Sequence, residues 1–379
     1  MKIEQRKWCA DQGWSPEPSA HDERVSLILA FGGKQILADP TPLADLCKAY
    51  PKAAVVGCST AGEIAGTSVS DDSLVTTAIT FEHSRVQAVQ LALDEVADSY
   101  EAGRRLALDL PDEGLVHVIV IADGTLVNGS ALVRGLNDHL PDGIQVTGGL
   151  AGDGERFEET VVFVGCEPKV GLIAAIGLYG ERLRVGFGSL GGWDPFGPDR
   201  LITRSEGNVL FELDGRSALG LYKTYLGDYA SGLPASALLF PLALRREGRR
   251  HSPVVRTILS IDEEAQSMTF AGDMPQGEYA RLMKANFERL IDGATLAAKT
   301  SYETLGAPTP ELALLISCVG RRMVLKQRTE EEVESVREVL GAGAVLTGFY
   351  SYGEISPFAP AASCELHNQT MTITTLSER

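Results

Sequence analysis

The sequence predicts a mixed α/β protein of two related halves, built from repeated strand–helix–strand–turn–strand units with sheets covered by helices. Three observations carry this. Short, wholly apolar runs alternate with amphipathic helical stretches. A Gly-rich turn follows the second apolar run of each unit. The whole order occurs three times, and the turns GCSTAGEI near the start and GFYSYGEI near the end share their glycine spacing and GEI ending.

Taken in order, residues 1–24 are polar, carry Trp8, Trp14 and two prolines, and read as an arm that packs loosely. The first unit has strands at 25–31 (VSLILAF), 53–57 and 73–81 (SLVTTAITF) and a helix at 42–50. Its turn is CSTAGEIAG. In the second, the strand 116–122 (VHVIVIA), the helix 129–140 and the strand 144–148 lead into TGGLAGDG and a strand at 160–165. The third has the strand 312–318 (LALLISC), a strongly amphipathic helix at 329–340, the strand 344–348, the turn FYSYGEISP and an alternating strand at 369–376.

Between the second and third units, 171–192 reads as two β-rich segments. Residues 201–227 read as a strand, a turn at 213–215 and a helix with Ala218, Leu219, Tyr222 and Tyr225 on one face. Two strands flank RREGRRHSP (245–253), and a long helix is expected at 279–304. The expected division is an arm at 1–24 and two domains at 25–215 and 216–379, the halves related by a pseudo-twofold.

Composition narrows the function. The 34 basic and 51 acidic side chains leave a formal charge of −17. Such a chain repels phosphate backbones and anionic membrane surfaces, so neither nucleic acid nor membrane is an expected partner. There is no signal-peptide core and no apolar run of about 18 residues, so a cytoplasmic location is expected. The six cysteines, at 9, 47, 58, 166, 318 and 364, form no CxxC pair or zinc spacing. They read as small buried hydrophobes in a reducing compartment.

The turns are the first candidates for chemistry. A Gly-rich turn after an apolar strand lets a ligand approach the backbone, whose N–H groups can hold a carboxylate or phosphate. GCSTAGEIAG lacks the GK[ST] ending of a P-loop, and TGGLAGDG lacks the glycine spacing of a dinucleotide fingerprint. The symmetric Glu63 and Glu354 either face one pocket or lock the halves together. Cys58 starts a turn at a strand end, but no histidine near it in sequence offers a base, and it reads as a buried small residue. Ser59 and Thr60 form no GxSxG elbow. The candidate ligand-pocket set of the turns is Cys58, Ser59, Thr60, Glu63, Tyr352 and Glu354. No catalytic constellation is present, so no enzyme activity is expected.

The histidines form no metal-binding pair. His117 lies in an apolar strand and reads as a satisfied core residue. His251 follows Arg245, Arg246, Arg249 and Arg250. Clustered arginines either clamp carboxylates or phosphates or simply solvate a hairpin.

The strings VVGCSTAGEI, TGGLAGDG, GN-x-LFELDG-x-SALGLYKTYLG and TGFYSYGEI resemble the FIST family, over roughly residues 25–365. The resemblance implies FIST N and FIST C segments forming an intracellular sensory module. Such a module binds small ligands, amino acids having been proposed, and reports to signalling proteins. Arg246 stands four intervening residues before His251, and Pro275 three before Tyr279. This pattern is similar to the NosP-type haem-binding nitric-oxide sensors of the family. It implies haem b as cofactor, His251 as the iron ligand, and Arg246, Pro275 and Tyr279 as pocket residues. The chain carries no kinase, cyclase or phosphodiesterase pattern. The expected role is therefore a haem-dependent nitric-oxide sensor acting on a separate histidine kinase or cyclic-di-GMP enzyme, with a homodimer left open. The alternative is a FIST sensor of a small amino-acid-like metabolite without haem.

Overall fold

A computed structural model describes residues 1–18, 22–233, 235–245, 254–306, 309–359 and 362–378. The three units form as the sequence predicts except for one strand: the run at 160–165 is not the second unit's returning strand, because Val162–Val164 pairs with Ala54–Ser59 of the first unit and Leu172–Tyr179 returns in its place. In each, two parallel strands flank a covering helix, and a third strand returns antiparallel. The strand pairs are Leu27–Gly32 with Ala54–Ser59, Leu115–Ala122 with Gln145–Leu150, and Leu312–Cys318 with Val345–Ser351. The returning strands are Leu74–Thr80, Leu172–Tyr179 and Met371–Glu378.

The apolar runs are continuous, not alternating, because both faces of these strands are buried. Leu27, Leu29, Phe31, Ile119, Ile121, Leu312, Leu314 and Ile316 share one central core between the three sheets. The opposite faces meet the helices. Ile28 and Ala30 pack with Leu43 and Leu46 of the helix Thr41–Ala49. Val118 and Val120 pack with Leu132 and Leu136 of Gly129–His139. Ala313 and Leu315 pack with Val333 and Val336 of Thr329–Leu340.

The relation between units is three-way, where the sequence suggested two halves. After its Gly-rich turn each unit gives a short strand to another unit's sheet. Glu63–Ala65 pairs with Val345–Ser351 of the third unit. Gly353–Pro357 of the third pairs with Gln145–Leu150 of the second. Val162–Val164 of the second pairs with Ala54–Ser59 of the first, closing the cycle. A two-unit count misses this because the middle turn, TGGLAGDG, lacks the GEI ending.

Three further expectations are corrected. The first residues are not a loose arm: Lys2–Cys9 pairs along its length with Leu74–Thr80, and Gly13–Ser15 folds back on it. The region 279–304 is not one helix. Tyr279–Lys284 is a strand, and Asn286 caps the helix Phe287–Leu305 by accepting the Arg289 N–H. Two cysteines are not the reduced, buried small residues expected: a disulfide joins Cys47, on the first unit's helix, to Cys166, just past the strand the second unit donates to it.

Between the strand Leu183–Leu190 and the helix Phe287–Leu305, which pack together in the third unit, the chain makes an excursion. Its strands, from Asp194–Pro195 to Tyr279–Lys284, form a nine-stranded sheet. Its own core includes Ile202, Leu210, Leu219, Tyr222, Phe270 and Leu282. The position near 215 lies in the tight turn between the strands Val209–Leu213 and Arg216–Ser217 of this module. Among the described residues no helix is long and apolar enough to cross a membrane.

Candidate functional site

The three Gly-rich turns lie at the ends of the parallel strands and are joined to one another by main-chain hydrogen bonds. The Gly152 and Gly154 N–H groups donate to the Ser59 and Thr60 carbonyls at 2.9 and 3.1 Å. The Ala61 N–H donates to the Tyr350 carbonyl, and the Tyr350 N–H to the Gly62 carbonyl, both at 2.8 Å. The Tyr352 N–H reaches the Leu150 carbonyl at 3.3 Å, so third and second turns meet as well. Tyr352 also stacks on Phe157 with ring centroids 4.3 Å apart. Its hydroxyl accepts the Phe157 N–H at 3.0 Å and donates to the Gly154 carbonyl at 3.2 Å.

Both GEI glutamates are buried and saturated from within the protein. Glu63 accepts the Thr60 hydroxyl at 2.6 Å and the Ser73 hydroxyl and N–H at 2.7 and 3.3 Å. Glu354 accepts the Ser351 hydroxyl at 2.6 Å and the Thr370 hydroxyl and N–H at 2.9 and 3.0 Å. In the first and third units, then, the carboxylate ties the turn to the start of the returning strand. Cys58 is buried in the central core, and burial pushes its thiol well up, away from the thiolate a nucleophile needs. Ser59 and Thr60 are buried too, the Ser59 hydroxyl accepting the Val161 N–H at 2.9 Å.

The glutamates give the protein a pH dependence. Burial raises Glu63 to about 7 and Glu354 to about 8, against the donors that favour their charged forms. Both lie above the ordinary value of 4.5, so the folded chain holds protons that the unfolded chain has already lost. Their stabilising contribution is complete below the unfolded value and is lost as pH rises through 7 to 8. Buried His117 and His367, depressed to about 3 and about 4, act only below the ordinary 6.5. Unfolding free energies from urea titrations between pH 6.5 and 8.5 are therefore expected to fall, by up to about 1.4 kcal/mol per pH unit per glutamate. The Glu63→Gln, Glu354→Gln double variant should flatten that slope; an unchanged slope refutes the assignment.

A cavity of about 910 Å³ opens beside the turns. Its wall includes Asp71 of the first unit, Gly154 and Arg156 of the second turn, and Arg322 and Lys326 at the helix Val319–Leu325. Arg322 reaches across units. Its guanidinium donates to the Ala61 carbonyl at 2.6 Å and grips Asp71 with two bonds of 2.6 Å. Gly62, at φ +130°, leaves room for it: a Cβ there would lie 2.6 Å from the guanidinium. Arg156 forks onto buried Asp153, and Lys326 stands exposed. Glu155 and Glu330 also line it, so both signs of charge face one space. Sequence reasoning missed Arg156, Arg322 and Lys326. Their only signal is position: Arg156 just after TGGLAGDG, and Arg322 in the pair of arginines that follows a buried strand.

The predicted haem residues lie elsewhere. Arg246 and His251 fall outside the described residues. Tyr279 pairs across the strands with Arg245, the last described residue before them in the sequence, and is 40% exposed. Arg281, on the same strand face, lies near Asp199, which Arg245 also binds at 2.8 Å. That charged face suits the carboxylate edge of a porphyrin. Pro275 lines a polar cavity between the module and the helix Gly129–His139; its lining includes neither Tyr279 nor Arg245. His117 is the satisfied core residue expected, its Nε2 2.8 Å from the Thr147 hydroxyl. Among the described residues no cluster of His, Cys, Asp or Glu could hold a metal ion.

Two family models match the chain: the FIST N domain over residues 26–216 and the FIST C domain over residues 218–357. No curated protein matches it. Among solved structures, a cyanuric acid hydrolase from A. caulinodans is 12% identical, covering 78% of this chain and 99% of its own. Its TM-score of 0.19 is too low to support any argument.

Proposed function

Since the chain belongs to the FIST family, whose domains sense small ligands in signalling proteins, we propose that it binds a small zwitterionic, amino-acid-like metabolite where its three turns meet. The observation that carries this is the mixed-charge cavity. Arg156, Arg322 and Lys326 offer partners for a carboxylate, and Glu155 and Glu330 for an ammonium group. Asp71 holds Arg322 from the rim, with its own side chain 61% exposed, so a ligand carboxylate can take its place. Exchange at Arg322 would act on the first and third units at once, since that side chain also holds the Ala61 carbonyl. The signal then passes to a separately encoded partner, a histidine kinase or a cyclic-di-GMP enzyme.

The position of Tyr279 and Arg245 supports a second reading, a haem-dependent nitric-oxide sensor. His251 would hold the iron, Arg245 and Arg246 would pair with the propionates, and haem b would supply an iron that binds nitric oxide. One preparation separates the two. Protein from haem-supplemented cells is examined for a Soret band, and its melting temperature is followed against amino acids and small carboxylates. The metabolite reading expects no Soret band and a rise of several degrees for one compound at 100-fold excess over its Kd. Lys326→Ala should weaken that binding at least tenfold. A Soret band lost in His251→Ala, with no shift across the compounds, reverses the choice.

A further inference from the structure

A second cavity lies at the seam where the inserted module leaves and rejoins the third unit. It holds about 310 Å³, at the small end of ligand cavities. Trp193, Val255 and Met283 come from the module side, Leu190 and Leu296 from the third unit, and Phe358 from the segment after the last Gly-rich turn. Trp193, Val255 and Met283 are nearly inaccessible to solvent, while Leu296 is 49% exposed. The mouth carries Arg289 and Asp292. Arg289 is turned to Asp194, 3.3 Å away.

One polar side chain in this wall stands out. His367 is 1% exposed, and its Nε2 lies 2.9 Å from the Ser356 carbonyl. A carbonyl can only accept, so the proton sits on Nε2 and the neutral ring keeps a lone pair on Nδ1. Among the described residues Nδ1 has no partner. Burial keeps the ring uncharged by pulling its pKa down to about 4. Thr370, the other uncharged polar side chain of the wall, spends its hydroxyl proton on Glu354 at 2.9 Å. The cavity therefore offers apolar and aromatic surface with one neutral imidazole in its wall, its charged residues being Arg289 and Asp292.

We propose that this cavity binds a small uncharged aromatic molecule carrying one hydrogen-bond donor, of the phenol or indole class, with the donor on His367 Nδ1 and the ring against Trp193 and Phe358. The volume admits one or two rings and excludes a porphyrin, so this site is separate from both ligands considered above. An occupant would touch module and third unit together. It would also lie beside Thr370, which holds the third turn through Glu354. The seam is thereby a second input to the same turns.

The probe is 4-cyanophenol, with its O-methyl ether as the analogue that lacks the donor. Calorimetry should give one site for the phenol, with quenching of Trp193 emission that disappears in Trp193→Phe. The ether should bind at least tenfold more weakly, because Nδ1 is then left unpaired. Leu296→Trp, at the exposed mouth, should weaken the phenol at least tenfold. His367→Leu should abolish the preference for phenol over ether. No saturable binding, equal affinity for the two probes in wild type, or wild-type phenol affinity in Leu296→Trp would each overturn the proposal. If His367→Leu does not fold, the ether and Leu296→Trp arms decide it alone. The cavity at the turns is untouched by Leu296→Trp, so a failure here leaves the metabolite reading standing.

Discussion

Gly148→Ala and Gly348→Ala are each expected to cost more than about 4 kcal/mol of stability or to prevent folding, whereas Gly343→Ala is expected to be neutral or slightly stabilising. The two glycines stand at the same place in their units, in the strand that precedes the Gly-rich turn. A Cβ at Gly148 would lie 1.8 Å from the Val120 carbonyl oxygen, and one at Gly348 1.8 Å from that of Leu315. Gly57, the matching residue of the first unit, would meet the Ala30 carbonyl at 1.7 Å. In every case the obstacle is backbone of the neighbouring parallel strand, which cannot swing aside as a side chain can. Nor can the strand shift, because its other edge is held by a strand donated from a different unit. A local repair would have to move three sheets together. At Gly343 nothing lies within 4 Å and the backbone is not left-handed, so alanine only restricts the unfolded chain. Circular dichroism and urea titration of the three variants check this. A Gly148→Ala protein that melts like wild type would mean that the three sheets do not close on one another as described.

These glycines also mark how far the sequence could be read. The units were legible because LILAF, VIVIA and LALLIS are buried on both faces and the intervening helices have one apolar stripe each. The exchange between units was not. Its strands are short, only three residues in Glu63–Ala65 and Val162–Val164, and their partners are far away in sequence. Periodicity within a window carries no trace of such pairing. The segment Lys2–Cys9 was misread for a related reason. It is a strand because Leu74–Thr80 presents it an open edge. At 279–304 the helical pattern is real from Phe287 onward, and the apolar spacing of YARLMK fits either state.

The site was half legible. Sequence symmetry singled out Glu63 and Glu354, and their equivalent hydrogen bonds bear out that symmetry. It could not say that these carboxylates are turned inward. The cavity's cations come from the second and third units, and only the fold brings Arg322 to the first unit's turn, 261 residues away. In the same way, the pairing of Cys47 with Cys166, separated by 119 residues, follows from the donated strand and not from any spacing rule.

Arg321, next to the cavity arginine, is the other place where one substitution should be severe. Its side chain is wholly buried, as is that of its partner Glu332. Nε and Nη2 donate to one Glu332 oxygen at 3.0 and 2.7 Å. Nη2 also donates to the Leu290 carbonyl at 2.7 Å, and Nη1 to the Gly191 carbonyl. The other Glu332 oxygen accepts the Ser317 hydroxyl at 3.1 Å and the Tyr350 hydroxyl at 2.6 Å. The pair thus ties the helices Thr329–Leu340 and Phe287–Leu305 to the strands Leu312–Cys318 and Val345–Ser351. It does so at the point where the inserted module rejoins the third unit. Arg321→Met leaves a carboxylate in the core with two hydroxyl donors and no cation, and an expected loss of about 3–5 kcal/mol. Glu332→Leu strands a guanidinium and should cost about as much. Removing both charges removes the stranded group, so the double variant should be more stable than either single one. Its deficit should also be well below the sum of the two. Urea midpoints of the four proteins measure that coupling directly. Additive losses would mean that each side chain acts through its backbone contacts alone, and that the ion pair itself does not hold the third unit together.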